Sequence, residues 1–269
     1  MLPEPYYADD AVTLYCARCE DILPRIPRRS IALICTSPPY NKSASLKNRR
    51  GGHTSNWQGY ADRHWYGDDM TDAEYQDWQA GLLNGWADLL VDRGSICYNV
   101  KPVSKGNVED DPRDWIRAKA EKLLLRQTII WHSKASCQFN NGLFYPFHEY
   151  VLWLYRKGDR PRWAAKSEVG NTSVWDILAD RTTDWHPCSF PVELAARCIR
   201  ALSEPGELIL DPFSGSGTTL MAAKMLGRRA VGIEISEEYC EKAAIRLSQM
   251  PLFAVVEAAK PKQPALMGE

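Results

Sequence analysis

Short, continuous apolar runs alternate along the chain with longer segments in which apolar residues recur every three or four positions. The first pattern is typical of buried strands and the second of helices packed on one face. We predict strands over Ile31–Cys35, Ser95–Val100, Thr128–Trp131, Tyr150–Tyr155, Leu208–Leu210 and Ala230–Ile233. We predict helices over Asp72–Leu90, Trp115–Leu125, Pro191–Ser203, Ser216–Leu226 and Glu237–Met250, the first of them stopped by Gly94. This alternation indicates an α/β fold with a mostly parallel sheet and helices on both faces.

Composition narrows the class of protein. The 269 residues carry 33 Lys and Arg against 34 Asp and Glu, a net charge of −1, and 45% are apolar. The balanced charge excludes a wholly basic nucleic-acid binder. The apolar content excludes a disordered acidic chain, because it is high enough to form a buried core. The longest apolar runs, such as Ile31–Cys35, are far shorter than the roughly 20 residues of a membrane helix. With no secretion signal visible at Met1, we expect a cytoplasmic protein.

The eight cysteines are scattered along the chain, mostly beside apolar residues, as expected for reduced, buried thiols. Only Cys16 and Cys19 form a C-x-x-C pair. A structural zinc site normally needs a second pair of ligands with similar spacing, and none follows. We therefore expect no metal site.

A glycine-rich turn follows the predicted strand at Leu208. The sequence continues Asp211-Pro-Phe-Ser-Gly-Ser-Gly-Thr-Thr219, in which Gly215 and Gly217 permit positive φ and precede a helix. The free N–H groups of that helix suit a carboxylate or phosphate, and Glu234, at the end of the next strand, is placed for ribose hydroxyls. Because the P-loop lysine is missing, a nucleoside with a carboxylate, such as S-adenosylmethionine, is the better candidate ligand.

A second motif, Ser37-Pro-Pro-Tyr40, follows the strand Ile31–Cys35. The Ser37 hydroxyl and the Pro38 carbonyl can both accept hydrogen bonds from a planar amine, and Tyr40 offers a face for stacking. Alone, this motif would favour an ordinary turn that ends a strand.

Together these residues resemble the amino-group DNA methyltransferases, in which a [D/N/S]-P-P-[Y/F] motif meets the target base and an F-x-G-x-G motif binds S-adenosylmethionine. The catalytic motif precedes Phe213-Ser-Gly-Ser-Gly217, an order similar to the permuted β class. His186-Pro-Cys-Ser-Phe-Pro191, His148-Glu-Tyr150 and Val231-Gly-Ile-Glu234 resemble further family segments. One departure is Ala17-Arg18, where the family usually has Gly-Asp approaching the cofactor adenine, so that contact is unassigned.

The resemblance implies a Rossmann-like methyltransferase fold with one domain formed by residues 1–155 and 186–252, a target-recognition insertion at 156–185 and a flexible tail at 253–269. It implies catalytic roles for Ser37, Pro38, Pro39 and Tyr40. The cofactor-binding residues it implies are Thr36, His186, Phe190, Asp211, Pro212, Phe213, Ser214, Gly215, Gly217, Thr218, Thr219 and Glu234.

The implied reaction transfers a methyl group from S-adenosylmethionine to the exocyclic amine of a flipped base in double-stranded DNA. Ser37 favours methylation of cytosine N4, since Asp at this position is more typical of adenine enzymes in the family. Methylation of adenine N6 is the first alternative. A degenerate methyltransferase that acts as a non-catalytic DNA-binding module is the second alternative. Methylation of cytosine C5 is disfavoured, because Pro187-Cys188 lacks the setting of a catalytic loop, as is glutamine methylation, because that motif begins with Asn.

Two basic, loop-like stretches are candidates for DNA contact. From them we predict Lys42, Lys47, Arg49 and Arg50 at phosphates near the flipped base, and Arg160 and Arg162 at base edges. A cognate restriction endonuclease and a homodimer are partners that the resemblance allows.

Overall fold

A single large sheet lies at the centre of the computed structural model, which describes residues 2–41, 70–105, 108–133, 144, 146–164, 172–179 and 189–249. Its strands are β1 (Tyr7–Ala8), β2 (Val12–Cys16), β3 (Ile31–Thr36), β4 (Leu90–Val100), β7 (Leu123–His132), β8 (His148–Arg156), β9 (Val174–Asp176), β10 (Leu208–Asp211) and β11 (Arg229–Glu234). A separate hairpin contains β5 (Val103–Lys105) and β6 (Val108–Asp110). The α-helices in these ranges are α1 (Cys19–Ile22), α2 (Asp72–Leu89), α3 (Pro112–Lys119), α4 (Val192–Leu202), α5 (Thr218–Met225) and α6 (Glu237–Ser248).

The strand order across the described sheet is β1-β2-β11-β10-β3-β4-β8-β7-β9. From β2 to β4 all neighbours are parallel, so β3, β4, β10 and β11 end at the same edge, which we call the C-terminal edge. β8 runs antiparallel to both β4 and β7, while β9 is parallel to β7. The prediction of a mostly parallel α/β sheet is confirmed, with β8 as a reversed strand inside it.

The sheet is covered on both faces, as its continuous apolar strands require. All six residues of β3 are buried. Leu33 and Cys35 belong to the core that includes α4, α5 and α6, whereas Ile31 and Ile34 belong to the core under α2 and α3. Because a buried parallel strand must place apolar groups on both faces, its run is continuous rather than alternating.

The predicted helix Trp115–Leu125 is wrong at both ends. The Asp111 side chain caps the backbone N–H of Arg113, so the helix already begins at Pro112, and it ends at Lys119. Leu123 is buried but Leu124 is 41% exposed, a period-two pattern that belongs to strand β7. The apolar run at 123–125 therefore follows the two-residue period of a strand and not the period of a helix.

Gly94 does not stop α2, because the chain passes directly from Leu89 into β4 at Leu90. Gly94 lies inside β4, where an added Cβ would come within 3.0 Å of the Val91 carbonyl oxygen and 3.2 Å of the Ala32 carbonyl oxygen. The glycine therefore permits β4 to approach β3 closely.

Part of the predicted insertion 156–185 packs on the sheet. β9 adds a strand beside β7, and the Trp163 ring lies 5.8 Å from that of Trp153 on β8. No described helix is both long and apolar enough to span a membrane. The recognition role of the insertion stays a prediction.

Candidate active site

The two predicted motifs lie side by side at the C-terminal edge. β3 pairs with β10 in parallel register, with Leu33 opposite Ile209 and Ile34 opposite Leu210. Ser37 follows the end of β3, and the glycine-rich turn follows the end of β10 at Asp211. Residues far apart in sequence are therefore brought together at the point where adjacent strands end.

The glycine-rich turn has the backbone shape that its sequence predicts. Gly215 has φ 50° and Gly217 has φ 76°, and Gly217 precedes the first residue of α5. An added Cβ on Gly217 would lie 3.3 Å from the Ala243 Cβ on α6. Both the positive φ and the tight packing against α6 therefore require glycine at 217. Its role is structural, in addition to leaving room for a ligand beside the backbone.

Glu234 ends β11 beside this turn. Its two carboxylate oxygens accept hydrogen bonds from the Gly215 backbone N–H, at 2.8 Å, and from the Ser236 backbone N–H, at 2.9 Å. Burial raises the pKa of Glu234 to about 7, although these N–H groups lower it. Each carboxylate oxygen can accept more than one hydrogen bond, so the oriented side chain retains capacity for the hydroxyls of a ribose.

Asp211 is a second buried carboxyl at the end of β10. The Phe213 backbone N–H donates to one of its oxygens at 3.2 Å. Burial raises the pKa of Asp211 to about 6, opposed by this hydrogen bond from the Phe213 N–H. Two carboxyls with raised pKa values at one strand edge are typical of a ligand site rather than of a structural core.

A cluster of hydroxyl groups holds the glycine-rich turn. Ser189 Oγ lies 2.9 Å from Ser216 Oγ and 3.3 Å from Thr218 Oγ1. Arg246, on α6, donates to both the Ser216 carbonyl oxygen and Thr218 Oγ1 at 3.1 Å. The predictions included Phe190, which is buried, but missed its neighbour Ser189 and the distant Arg246.

Aromatic side chains from α2 wall the turn on one side. The Phe213 ring lies 6.0 Å from that of Trp78 and 6.1 Å from that of Trp86, both in edge-to-face geometry. The Trp78 indole N–H also donates to a Glu20 carboxylate oxygen at 3.0 Å. Glu20 therefore lies next to the aromatic wall, two residues after the atypical Ala17-Arg18 pair.

The catalytic motif forms a hydrogen-bonded chain with β8. Ser37 Oγ lies 3.0 Å from the Tyr40 hydroxyl, which donates to Glu149 Oε2 at 3.3 Å. The other Glu149 oxygen lies 3.6 Å from Lys101 Nζ, and this ammonium lies 5.5 Å from the centre of the Tyr40 ring. A base that stacks on Tyr40 in this conformation must use the opposite face of the ring.

The two proline carbonyls of the motif differ. The Tyr75 hydroxyl, on α2, donates to the Pro39 carbonyl oxygen at 2.7 Å. Pro38 is buried directly beside Ser37. The Pro39 carbonyl is therefore already engaged by Tyr75, and the use of the Pro38 carbonyl for an amine stays a prediction.

Several predicted residues lie away from this site or outside the described ranges. His186, Lys42, Lys47, Arg49 and Arg50 fall outside those ranges. Arg160 is exposed, whereas Arg162 forms two hydrogen bonds of 2.7 and 2.8 Å to the Glu207 carboxylate, just before β10 begins. That position is on the edge of the sheet opposite Ser37, so Arg162 anchors its segment to the domain.

The donor set suits a nucleoside that carries a charged amino-acid group. The Glu234 oxygens could accept hydrogen bonds from a ribose, and the hydroxyls of Ser216 and Thr218 at the start of α5 could bind a carboxylate. No group of three or more His, Cys, Asp or Glu in the described part of the chain could hold a metal ion.

The fold and the paired motifs define an amino-group DNA methylase. The model of the N6/N4 DNA methylase family matches residues 31–245, and the chain belongs to this family. The family uses S-adenosylmethionine, which confirms the predicted cofactor.

Individual relatives agree with this assignment. The chain is 25% identical to the type II methyltransferase M.BglII of Bacillus subtilis over 93% of this chain and 72% of that protein. A DNA modification methylase of Thermus thermophilus, solved with S-adenosyl-L-methionine, matches with a TM-score of 0.63 and 24% identity, over 88% of this chain and 93% of the other. The cytosine-N4-specific PvuII DNA methyltransferase shares the fold with a TM-score of 0.71 and 18% identity, over 95% and 94% of the two chains.

Proposed function

We propose that this protein methylates the N4 amine of cytosine at a specific site in double-stranded DNA, with S-adenosylmethionine as the donor. The observation that carries the proposal is the adjacency of Ser37 and the glycine-rich turn, at the ends of the paired strands β3 and β10. This adjacency supports the proposal, because an acceptor for the amine would then lie next to the methyl donor.

The Ser37 hydroxyl and the Pro38 carbonyl perform the central task. The amine of a nucleobase is a poor nucleophile because its lone pair is delocalised into the ring. Accepting both amine protons pulls the nitrogen toward sp³ geometry and localises the lone pair, without a covalent bond to the enzyme. S-adenosylmethionine supplies an electrophilic methyl group. The protein contributes positioning and electrostatic complementarity rather than a strong general base.

The DNA would approach the C-terminal edge, because the base must be flipped out of the duplex to reach Ser37. Lys42, Lys47, Arg49 and Arg50 follow the catalytic motif directly and are our candidates for phosphate contact. Within 156–185, the part after β9 is the better candidate for reading bases, since β9 ends at that edge and Leu178 is 68% exposed there. Arg162 is not part of this proposed surface.

The choice of cytosine rests on Ser37 at the first position of the motif. Adenine N6 methylation would use the same geometry and is the alternative. Single-molecule sequencing of DNA from a methylation-free host that expresses the protein reports both the modified base and its context, and Ser37→Ala is the matched control.

We expect N4-methylcytosine at one short sequence in the wild type and none in the control. Exclusive N6-methyladenine would replace the proposal with its alternative. An absence of modification in cells with soluble protein would favour a non-catalytic DNA-binding module.

A further inference from the structure

We propose that Glu149 is the terminal proton acceptor of a relay that runs from the substrate amine through Ser37 and Tyr40. This inference rests on the proposed amine methylation and extends it to a residue outside both motifs. The chain of contacts is Ser37 Oγ to the Tyr40 hydroxyl, 3.0 Å, and the Tyr40 hydroxyl to Glu149 Oε2, 3.3 Å.

The direction of the hydrogen bonds follows from the number of protons. Tyr40 has one hydroxyl proton, and Glu149, as a carboxylate, can only accept. Tyr40 therefore donates to Glu149, and Ser37 is the donor in the bond between the two hydroxyls. With its proton directed at Tyr40, Ser37 presents its lone pairs to the substrate. Through Tyr40, Glu149 thus orients the Ser37 hydroxyl so that it donates to Tyr40 and accepts from the substrate amine, as activation of the amine requires.

The surroundings hold the Glu149 carboxylate in place. Lys101 Nζ lies 3.6 Å from Oε1, and the Asn99 side-chain amide donates to Oε2 at 3.2 Å. Asn99 is itself anchored by a 3.1 Å bond to the Tyr150 carbonyl oxygen. Trp131 is the neighbour of Glu149 on β7 and contributes no charge. The Glu149 side chain is 21% exposed, so a proton that reaches it can pass to solvent.

The proton transfer is balanced. After the nitrogen has gained a methyl group it carries a positive charge and one excess proton. That proton passes to Ser37 Oγ as the Ser37 proton passes to Tyr40 and the Tyr40 proton passes to Glu149. One N–H bond breaks, one O–H bond forms on Glu149, and both hydroxyls are regenerated. The positive charge on nitrogen and the negative charge on Glu149 are neutralised together.

Glu149 acts through Tyr40 and is therefore a positioning residue. Its test must separate the rate of methyl transfer from the binding of DNA and S-adenosylmethionine. Single-turnover methyl transfer would be measured at saturating DNA and S-adenosylmethionine, with dissociation constants for both determined independently. The variants are Glu149→Gln, Glu149→Asp, Tyr40→Phe and a double variant that combines Glu149→Gln with Tyr40→Phe. Glu121→Gln removes an exposed carboxylate at the opposite edge of the sheet and is the matched control.

We expect Glu149→Gln to slow transfer about 100-fold, within the range for lost proton transfer, with unchanged dissociation constants. Glu149→Asp should recover part of the rate. Tyr40→Phe keeps the ring but breaks the relay, so it should cost a similar factor, and the double variant should be no slower than either single variant.

A Glu149→Gln rate within twofold of the wild type would overturn the relay. So would additive losses in the double variant, or losses confined to DNA or cofactor binding. These results are distinguishable from failure of the proposed function, in which the wild type itself would transfer no methyl group to DNA.

Discussion

Thr219 Oγ1 donates a hydrogen bond to the Cys35 carbonyl oxygen across 3.2 Å. Thr219 lies in the first turn of α5, and Cys35 lies two residues before Ser37. Both residues are buried. The bond therefore links the helix that follows the cofactor turn to the strand that carries the catalytic motif, and it couples the positions of the two sites.

Replacing Thr219 with Val removes this bond with little change in shape. The Cys35 carbonyl would lose a buried partner, so we expect the free energy of unfolding to fall by about 1–3 kcal/mol. Urea denaturation measures the loss. Thr172→Val is the matched control: it removes an exposed hydroxyl whose 3.0 Å bond to the Val174 carbonyl oxygen water can replace, so stability should change by less than about 0.5 kcal/mol. Equal effects of the two substitutions would contradict the link.

The raised pKa of Asp211 predicts that the stability of the cofactor-free protein depends on pH. Its pKa is raised from 3.8 to about 6, so the native state holds the proton more tightly than the unfolded state. The corresponding stability is complete below about pH 4 and is lost as the pH rises through about 6, a loss of about 3 kcal/mol. Asp211→Asn should flatten this part of the profile, measured by urea denaturation between about pH 4 and pH 7. An unchanged slope would disprove the assignment.

Glu234 predicts a pH dependence of cofactor binding. The ionised side chain has more acceptor capacity for ribose hydroxyls, and its pKa is about 7. Affinity for S-adenosylmethionine should therefore weaken as the pH falls from 8 to 6, as measured by calorimetry.

Glu234→Gln should bind about 10–100-fold more weakly at pH 8, as expected for a lost hydrogen bond to a charged group, and with a flatter pH profile. Glu121→Gln is again the control. A variant that keeps the wild-type pH profile would show that another group titrates.

Gly232 in β11 predicts a steric effect on the cofactor turn. An added Cβ would lie 2.6 Å from Leu220 Cδ1 and 2.8 Å from Ser214 Oγ, so these two buried side chains, on α5 and in the turn, would have to shift. Gly232→Ala should lower the melting temperature and weaken cofactor binding. Gly81→Ala is the matched control, because no atom lies within 4 Å of its added Cβ and alanine favours a helix by roughly 0.5–1 kcal/mol. A Gly232→Ala protein with wild-type stability and normal affinity would contradict this packing.

The sequence predicted those parts of the site that follow a buried strand. Ser37, Asp211 and Glu234 each come at or just after the end of an apolar run, and parallel strands bring their ends to a common edge. Local pattern and strand order were sufficient for these positions.

Other contacts depend on tertiary packing. Arg246 reaches Thr218 from the next-but-one element, and Glu149 meets Tyr40 across 109 positions of sequence. Neither has a local motif for its role. The helix predicted to end at Leu125 failed for a related reason, since Leu123–Leu125 fits either periodicity until β8 provides a pairing partner.

The central claim is transfer of a methyl group to the cytosine amine. The most direct measurement incubates the purified protein with methyl-labelled S-adenosylmethionine and mixed-sequence duplex DNA, digests the product to nucleosides and separates them by mass spectrometry. We predict label in N4-methylcytosine and a loss of about 100-fold or more in Ser37→Ala. Label found only in N6-methyladenine or 5-methylcytosine, or none in DNA, would contradict the account.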